Sequence, residues 1–295
     1  MAVLVQHIRE VRERVREARR QGLRIGFVPT MGALHEGHAS LMRRARADCG
    51  LVVVSLFVNP AQFGPGEDFR KYPRPLDRDL AVCDREGVDV VFAPEAAEMY
   101  PAGFATTIRV AGLTEKLCGA FRPGHFDGVC TVVAKLLAIV EPDVACFGEK
   151  DAQQLAVVRR MVRDLDLPVE IRGCPLVREP DGLAMSSRNA YLSPAERRQA
   201  LALSAALAEA RQAVARGQRD GPALADLVRR RLEAAEGVRP EYVAVVDPDT
   251  LDDLATIGDQ VLVAVAARVG TTRLIDNALL RGLPAGGAGE RDNPC

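Results

Sequence analysis

At 295 residues, with 48% hydrophobic and 27% charged side chains, the chain has apolar material for a large core and more length than one small domain uses, which points to two units sharing a cleft. A formal net charge of -1 without any long basic block excludes a sequence-wide field for nucleic acid or anionic lipid and leaves small molecules as the expected partners. No run approaches the roughly 18 apolar residues of a membrane span, and Met1 leads into a charged, amphipathic segment rather than a signal-peptide core, so the cytoplasm is the expected location.

In chain order, Val5 to Gln21 carries a helical apolar stripe at Val5, Ile8, Val11 and Val15, with Gly22 as a C-terminal stop. Leu23 to Val28 and the β-branched run Leu51 to Val58 read as buried strands, with a helix between them from about Gly37 to Ala47. Helix Pro75 to Glu86 then leads to strand Val88 to Ala93, helix Gly128 to Val140 to strand Asp143 to Phe147, and helix Ala152 to Leu165 to strand Val169 to Pro175. This alternation predicts an α/β, Rossmann-like domain over residues 1–176, with a mostly parallel sheet and ligands at the carboxyl ends of its strands.

Val177 to Asn189 reads as a connector. Helices Pro194 to Arg216 and Gly221 to Glu236, followed by strands Tyr242 to Val246 and Gln260 to Arg268, make a smaller α+β domain over residues 177–282. The Gly/Pro-rich stretch 283–295 is expected to be a disordered tail. The seven cysteines, including Cys295, are scattered and form no C-x-x-C pair, so they are read as reduced thiols and not as a metal site. Only four lysines (Lys71, Lys116, Lys135, Lys150) stand among 39 basic residues, and a lysine kept where arginine is the habit is a candidate point charge.

Four loops hold residue types suited to chemistry. Met31-Gly32-Ala33-Leu34-His35-Glu36-Gly37-His38 opens a helix with two histidines three apart, a pattern that can aim both imidazoles and the helix N-terminus at one anion, or simply form a capped turn. A zinc protease would need histidines four apart with a glutamate between them. Asn59 and Gln62 follow the strongest strand and can orient a hydroxyl and a carboxylate, although Asn-Pro is also an ordinary turn starter. Gly148-Glu149-Lys150-Asp151, with Gln154 behind it, can place an ammonium on phosphate, against the alternative of a plain surface turn. Met185-Ser186-Ser187-Arg188 offers two hydroxyls and a guanidinium to a triphosphate.

Six segments in this order, VPTMGALHEGH, LFVNPAQF, EDFRKYPR, RPGHFDGV, FGEKDAQQL and LAMSSRN, closely resemble the pantothenate synthetase family, as do RPEYVAVVD and ARVGTTRLIDN further on. The resemblance covers most of residues 23 to 282. Its H-x-G-H and M-S-S-R elements also look like the paired signatures of the nucleotidyltransferase superfamily that includes class I aminoacyl-tRNA synthetases.

The resemblance implies an ATP-dependent ligase that joins pantoate to β-alanine through a pantoyl-adenylate, releasing AMP and pyrophosphate. It implies magnesium dependence, a homodimer, and a C-terminal domain that closes over the site. Carried onto this chain, Met31 to His38 is the first ATP loop, with His35 and His38 at the phosphates and His38 the proton donor. Gly148, Glu149, Lys150 and Asp151 contact ATP, with Lys150 at the phosphates and Val177 at the adenine. Met185, Ser186, Ser187 and Arg188 form the second ATP loop. Gln62 and Gln154 hold pantoate, and Gln62 also lies where β-alanine is placed. Asp79 matches a position near magnesium, although the acidic neighbour of some members is Arg78 here.

Two rivals share parts of this pattern. Another small-molecule nucleotidyltransferase, acting on a phosphorylated acceptor, does not predict Gln62 and Gln154. A non-enzymatic nucleotide sensor does not need His38, Lys150 and the Ser-Ser-Arg loop together. A tRNA synthetase is excluded by the lack of room for an anticodon-binding module and of a basic surface signature.

Overall fold

The computed structural model describes residues 1–281, so the expected tail at 283–295 lies outside the described residues. Residues 1–179 with Met185–Ser187 form one compact unit, and Pro180–Ala184 with the described residues from Arg188 to Arg281 form a second. The division falls a few residues later than the 176/177 boundary read from the sequence, and six residues of the connector, 177–179 and 185–187, belong to the first unit.

The first unit runs β1 (Val3–Val5), α1 (Ile8–Arg20), β2 (Ile25–Thr30), α2 (Glu36–Asp48), β3 (Leu51–Leu56), α3 (Leu76–Arg85) and β4 (Val90–Phe92). It continues through α4 (Ala96–Met99), α5 (Cys118–Phe121), α6 (His125–Val140), β5 (Val144–Gly148), α7 (Ala152–Asp164) and β6 (Glu170–Cys174). Its strands form one six-stranded sheet in the order β1-β4-β3-β2-β5-β6, parallel throughout. Central strands covered on both faces are built mainly of apolar residues, and in β2 and β3 Ile25, Phe27, Val28, Val52, Val53 and Val54 are at most 1% exposed, with the buried polar Thr30 and Ser55 toward the carboxyl ends.

Helices form where apolar spacing and end signals agree. Helix α1 buries Val11, Val15 and Ala18 and ends in Arg19 and Arg20, whose charges suit its carboxyl end. Helix α6 buries most of its residues, from Phe126 to Val140, which is why its sequence reads as nearly continuous apolar chain. Against α2, the core gathers Val28, Met42, Val52, Val54, Val91 and Val144. Each such side chain contributes about 1.5–3 kcal/mol by leaving water.

The second unit contains α8 (Pro194–Ala215), α9 (Gly221–Glu233) and the antiparallel sheet β7 (Val238–Val246), β8 (Gln260–Val269), β9 (Thr272–Arg281). Ser193 caps α8 reciprocally with Glu196 (3.3 and 2.8 Å) ahead of Pro194. Leu203, Leu207, Leu224, Val228, Val263 and Val265 pack the helices against the sheet.

Three elements differ from the sequence reading. Strand β1 occupies the start of the segment read as helix, because its three residues pair with β4 at the sheet edge. Strand β7 begins at Val238, four residues before the expected start. Pro240 hid it, yet a proline is tolerated on this edge strand beside a register shift between Pro240 and Tyr242. Strand β9 was not expected, although it pairs with β8 over its whole length. The six described cysteines are free and buried, and no described helix is long and apolar enough to cross a membrane.

Candidate active site

Strand β2 lies between β3 and β5 in the sheet. The chain leaves β2 toward β3 on one side, while β5 pairs with β2 on the other. At such a switch point the loops at the carboxyl ends diverge and leave a crevice. The loops beginning at Met31, Phe57 and Glu149 therefore emerge from three adjacent strands, which brings the first three candidate segments to one edge.

The first loop is held by its own scaffold. Gly32 (φ +79°) and Ala33 (φ +51°) both adopt the left-handed region, where alanine is disfavoured. The Thr30 hydroxyl accepts from the Gly32 N–H (3.0 Å) and donates to the Ser55 carbonyl (2.8 Å). The Asp79 carboxylate accepts from Ala33 N–H through Oδ2 and from Leu34 N–H through Oδ1, both at 2.8 Å. A side chain at 32 would place Cβ 2.9 Å from Asp79 Oδ2, so glycine is also required for clearance. The amides of Gly32, Ala33 and Leu34 are thus already engaged and do not face a ligand. Asp79, carried over as a neighbour of magnesium, is 2% exposed and has a different task, that of clamping this turn. Burial pushes its carboxyl pKa up, against the two amide bonds that lower it.

Beyond Leu34 the helix N-terminus is open. His35 N–H donates to His38 Nδ1 (3.3 Å), so the neutral His38 ring carries its proton on Nε2. The amides of Glu36 and Gly37 donate to no protein acceptor among the described residues, which leaves an anion-binding end. The two imidazoles lie 4.1 Å apart, and His35 Nδ1 is buried without a partner. A Cβ at Gly37 would meet His35 Cε1 at 2.9 Å and Met185 Cβ at 3.8 Å, which brings Met185 against the first loop.

Burial and the Lys150 charge lower the His35 pKa to about 4. Burial, His35 and Lys150 lower that of His38 to about 3. In the free chain His38 is therefore a neutral hydrogen-bond donor and not an acid charged at neutral pH.

These shifts set an acid sensitivity. The unfolded histidines protonate near their ordinary 6.5, so between that value and the folded ones the unfolded state binds more protons. Stability is complete above about pH 6.5 and falls with pH through the window, by up to about 1.4 kcal/mol per unit for each ring. Urea unfolding at pH 7 and pH 5 should show a smaller loss for His38→Asn, which keeps an acceptor for His35 N–H but cannot titrate. An equal loss in the variant would place the sensitivity elsewhere.

After β3, Asn59 is 1% exposed and all four of its hydrogen-bonding positions are used. Its Oδ1 accepts from Ala61 N–H (3.2 Å) and the Tyr100 hydroxyl (2.7 Å), and its Nδ2 donates to Gln62 Oε1 (3.1 Å) and the Gly128 carbonyl (3.0 Å). Asn59, read as a substrate ligand, is instead saturated by protein partners and positions Gln62. The Gln62 carbonyl accepts from His125 Nδ1 (2.8 Å) and Arg122 (3.3 Å), and Arg122 forms a two-pronged pair with Glu67 (2.6 and 2.7 Å). Burial and Arg122 lower the His125 pKa to about 4, so this clamp too is neutral at the ring.

Helix α6 presses directly on this turn, where a Cβ at Gly128 would lie 2.2 Å from the Ala61 carbonyl oxygen and 2.7 Å from Gln62 N. Gly128→Ala must displace the turn or the helix and should cost about 2 kcal/mol in urea unfolding. An unchanged midpoint would show that the contact yields freely.

At the end of β5, Gly148 leads into a single turn over Glu149–Asp151, where Lys150 lies 3.9 Å from Asp151. The adjacent glutamines divide the work of helix α7. Gln153 is buried and holds Cys118 N–H, Leu113 O and Lys116 O, whereas Gln154 is half-buried with no protein partner among the described residues. The Val177 carbonyl accepts from Met185 N–H (3.1 Å), and the Ser187 hydroxyl bonds the Tyr72 hydroxyl (3.0 Å). Val177 and Met185–Ser187 belong to the first unit, while Arg188 belongs to the second.

Sequence reasoning assigned no role to Thr30, Tyr72, Tyr100, Arg122, His125 or Gly128. All but Tyr100 lie inside the six resembling segments, and the paired turn and helix motifs NPAQF and RPGHFDGV were the available signal for three of them. No group of three or more His, Cys, Asp or Glu side chains suited to a metal ion occurs among the described residues. With Asp79 committed to the turn, the donor set does not fit a magnesium ion held by the protein itself.

The chain matches the Pantoate-beta-alanine ligase family over residues 3–279. It is 56% identical over 277 residues to a pantothenate synthetase of Heliobacterium modesticaldum, covering 94% of this chain and 99% of that one. A crystal structure of pantothenate synthetase from Thermus thermophilus superimposes with a TM-score of 0.88 at 48% identity, covering 96% of this chain and all of that one. The crystal structure of the Francisella tularensis pantoate-beta-alanine ligase complexed with beta-gamma ATP and beta-alanine superimposes at 0.77 with 32% identity, covering 95% and 98% of the two chains. A match of this strength along nearly the whole length makes this chain a member of the pantoate-β-alanine ligase family.

Proposed function

We propose that the chain joins pantoate to β-alanine using ATP, with the chemistry centred on the crevice where the loops after β3, β2 and β5 leave the sheet. A pantoate carboxylate oxygen forms a bond to the α-phosphorus as the bond to the bridging oxygen breaks and pyrophosphate departs with its electrons. The β-alanine nitrogen then attacks the acyl carbon, the bond to the AMP oxygen breaks, and the amine proton passes to solvent.

The triphosphate lies at the amino end of α2, against the free Glu36 and Gly37 amides, His38 Nε2–H and His35. Lys150 supplies the fixed positive charge, and Ser186 and Ser187 the second grip. Preorganised donors of this kind stabilise the charge that develops on the phosphates. The incoming negative charge also raises both histidine pKa values, which brings His38 nearer to a proton donor's range. Gln62 and Gln154 orient pantoate, and β-alanine enters beside Gln62. A magnesium ion carried by the nucleotide would supply charge neutralisation to its phosphates and would need few or no protein ligands. A cytoplasmic homodimer completes the proposal.

The observation that carries this reading is the convergence on one sheet edge of an open helix N-terminus, Lys150 and an unpartnered glutamine. Pyrophosphate release without β-alanine should require pantoate and stop near one equivalent per active site. Release indifferent to pantoate would favour a different nucleotidyltransferase, and no release under any condition would favour a nucleotide sensor.

A further inference from the structure

We infer that Tyr100 is a positioning residue for substrate recognition. Acting through Asn59, whose orientation Ala61 and Gly128 set, it restrains the Asn59–Gln62 pair so that the pocket is offered a hydrogen-bond donor and not an acceptor. The inference rests on the assignment of Gln62 to pantoate made above.

The direction follows from partners whose roles cannot change. The Ala61 N–H can only donate, so the Asn59 atom facing it at 3.2 Å is the oxygen. The Gly128 carbonyl can only accept, so the atom facing it at 3.0 Å is the NH2 group. With the Asn59 amide locked from both ends, Tyr100 OH at 2.7 Å must donate to its oxygen. The Gln62 atom at 3.1 Å from Asn59 Nδ2 must be Oε1.

Gln62 Nε2 is left pointing the other way, 3.1 Å from the Met31 sulfur. A thioether is a weak acceptor, readily displaced by a hydroxyl or carboxylate oxygen. A ligand that offers an acceptor at this point is matched, and one that offers only a donor is not.

Tyr100 is itself held in place. Lys135, one of the four lysines, donates to the Met99 carbonyl and places its Nζ 5.7 Å from the Tyr100 ring centroid and 4.7 Å from that of Phe104. Phe104 meets Tyr100 edge-on at 5.1 Å. Burial raises the Tyr100 hydroxyl to about 12, so it stays a donor across the working pH range.

The test is pantoate affinity by titration calorimetry in the presence of a non-cleavable α,β-methylene ATP analogue. Tyr100→Phe should weaken pantoate about fivefold, because a less restrained Gln62 amide must be ordered on binding, and leave the analogue's own affinity unchanged. In a Gln62→Ala background the same substitution should have no further effect. Gln62→Glu, which preserves shape but presents only acceptors at neutral pH, should lose as much affinity as Gln62→Ala. Additive losses for Tyr100→Phe and Gln62→Ala, or retained affinity in Gln62→Glu, would overturn the inference. Failure of the unaltered chain to bind pantoate at all would instead defeat the functional reading beneath it.

Discussion

Lys150→Ala should lower pantoate-dependent pyrophosphate release by on the order of a hundred- to a thousandfold, the usual consequence of removing one preorganised donor from a site of developing charge. Stability should barely change. The Lys150 side chain is 20% exposed and its pairing with Asp151 is long, at 3.9 Å, and partly exposed ion pairs contribute little. Lys150→Arg should recover only part of the rate, because a planar fork does not replace a compact charge. A second readout follows from the position of the charge beside both imidazoles. Removing Lys150 should raise the His35 and His38 pKa values that its charge lowers, which a proton NMR titration measures. Near-normal turnover in Lys150→Ala would remove this side chain from the chemistry.

Asp79→Asn should have an effect of similar size by a different route. The carboxylate accepts two amide hydrogen bonds across the left-handed turn at Gly32 and Ala33. The isosteric amide offers one acceptor and turns its NH2 group toward the other N–H. One charge-assisted bond is lost, and a buried donor is left facing a donor, for a combined cost of about 3 kcal/mol. The turn that leads into α2 then loses its clamp. Because misplacement of a binding group by about 1 Å commonly costs a hundredfold in rate, adenylate formation should fall by about that factor. Urea unfolding combined with single-turnover kinetics checks both effects. A variant that loses neither stability nor rate would show that the turn holds its shape without Asp79.

Residues whose environment is set by local pattern were legible in the sequence. The parallel sheet followed from β-branched runs such as Val52 to Val54, because a strand covered on both faces is built mainly of apolar side chains. The H-x-G-H spacing left a capped turn and an anion-binding helix end both open, and it is the fold that leaves the Glu36 and Gly37 amides without a protein acceptor among the described residues. Contacts between distant segments were not legible. Asp79 reads as one of several acids near the start of α3, and only the fold sets it against Ala33 and Leu34, more than forty positions earlier. Asn59 looked like a ligand because asparagine at a strand end usually has unspent donors, and Tyr100 and Gly128 are what consume them here. Neighbouring Gln153 and Gln154 have the same composition but point to different faces of α7, so that one closes a loop and the other remains available. Strand β7 was shortened by Pro240, whose cost depends on its place at an edge that sequence periodicity does not reveal.

Oxygen-18 transfer addresses the central claim most directly. With pantoate labelled in its carboxylate and unlabelled ATP, attack on the α-phosphorus leaves one carboxylate oxygen on the phosphorus when the amine displaces AMP. Mass spectrometry should find one labelled oxygen in the AMP formed per pantothenate. Unlabelled AMP, with the full label kept in product and released water, would show that no acyl-adenylate bond forms and would contradict the account.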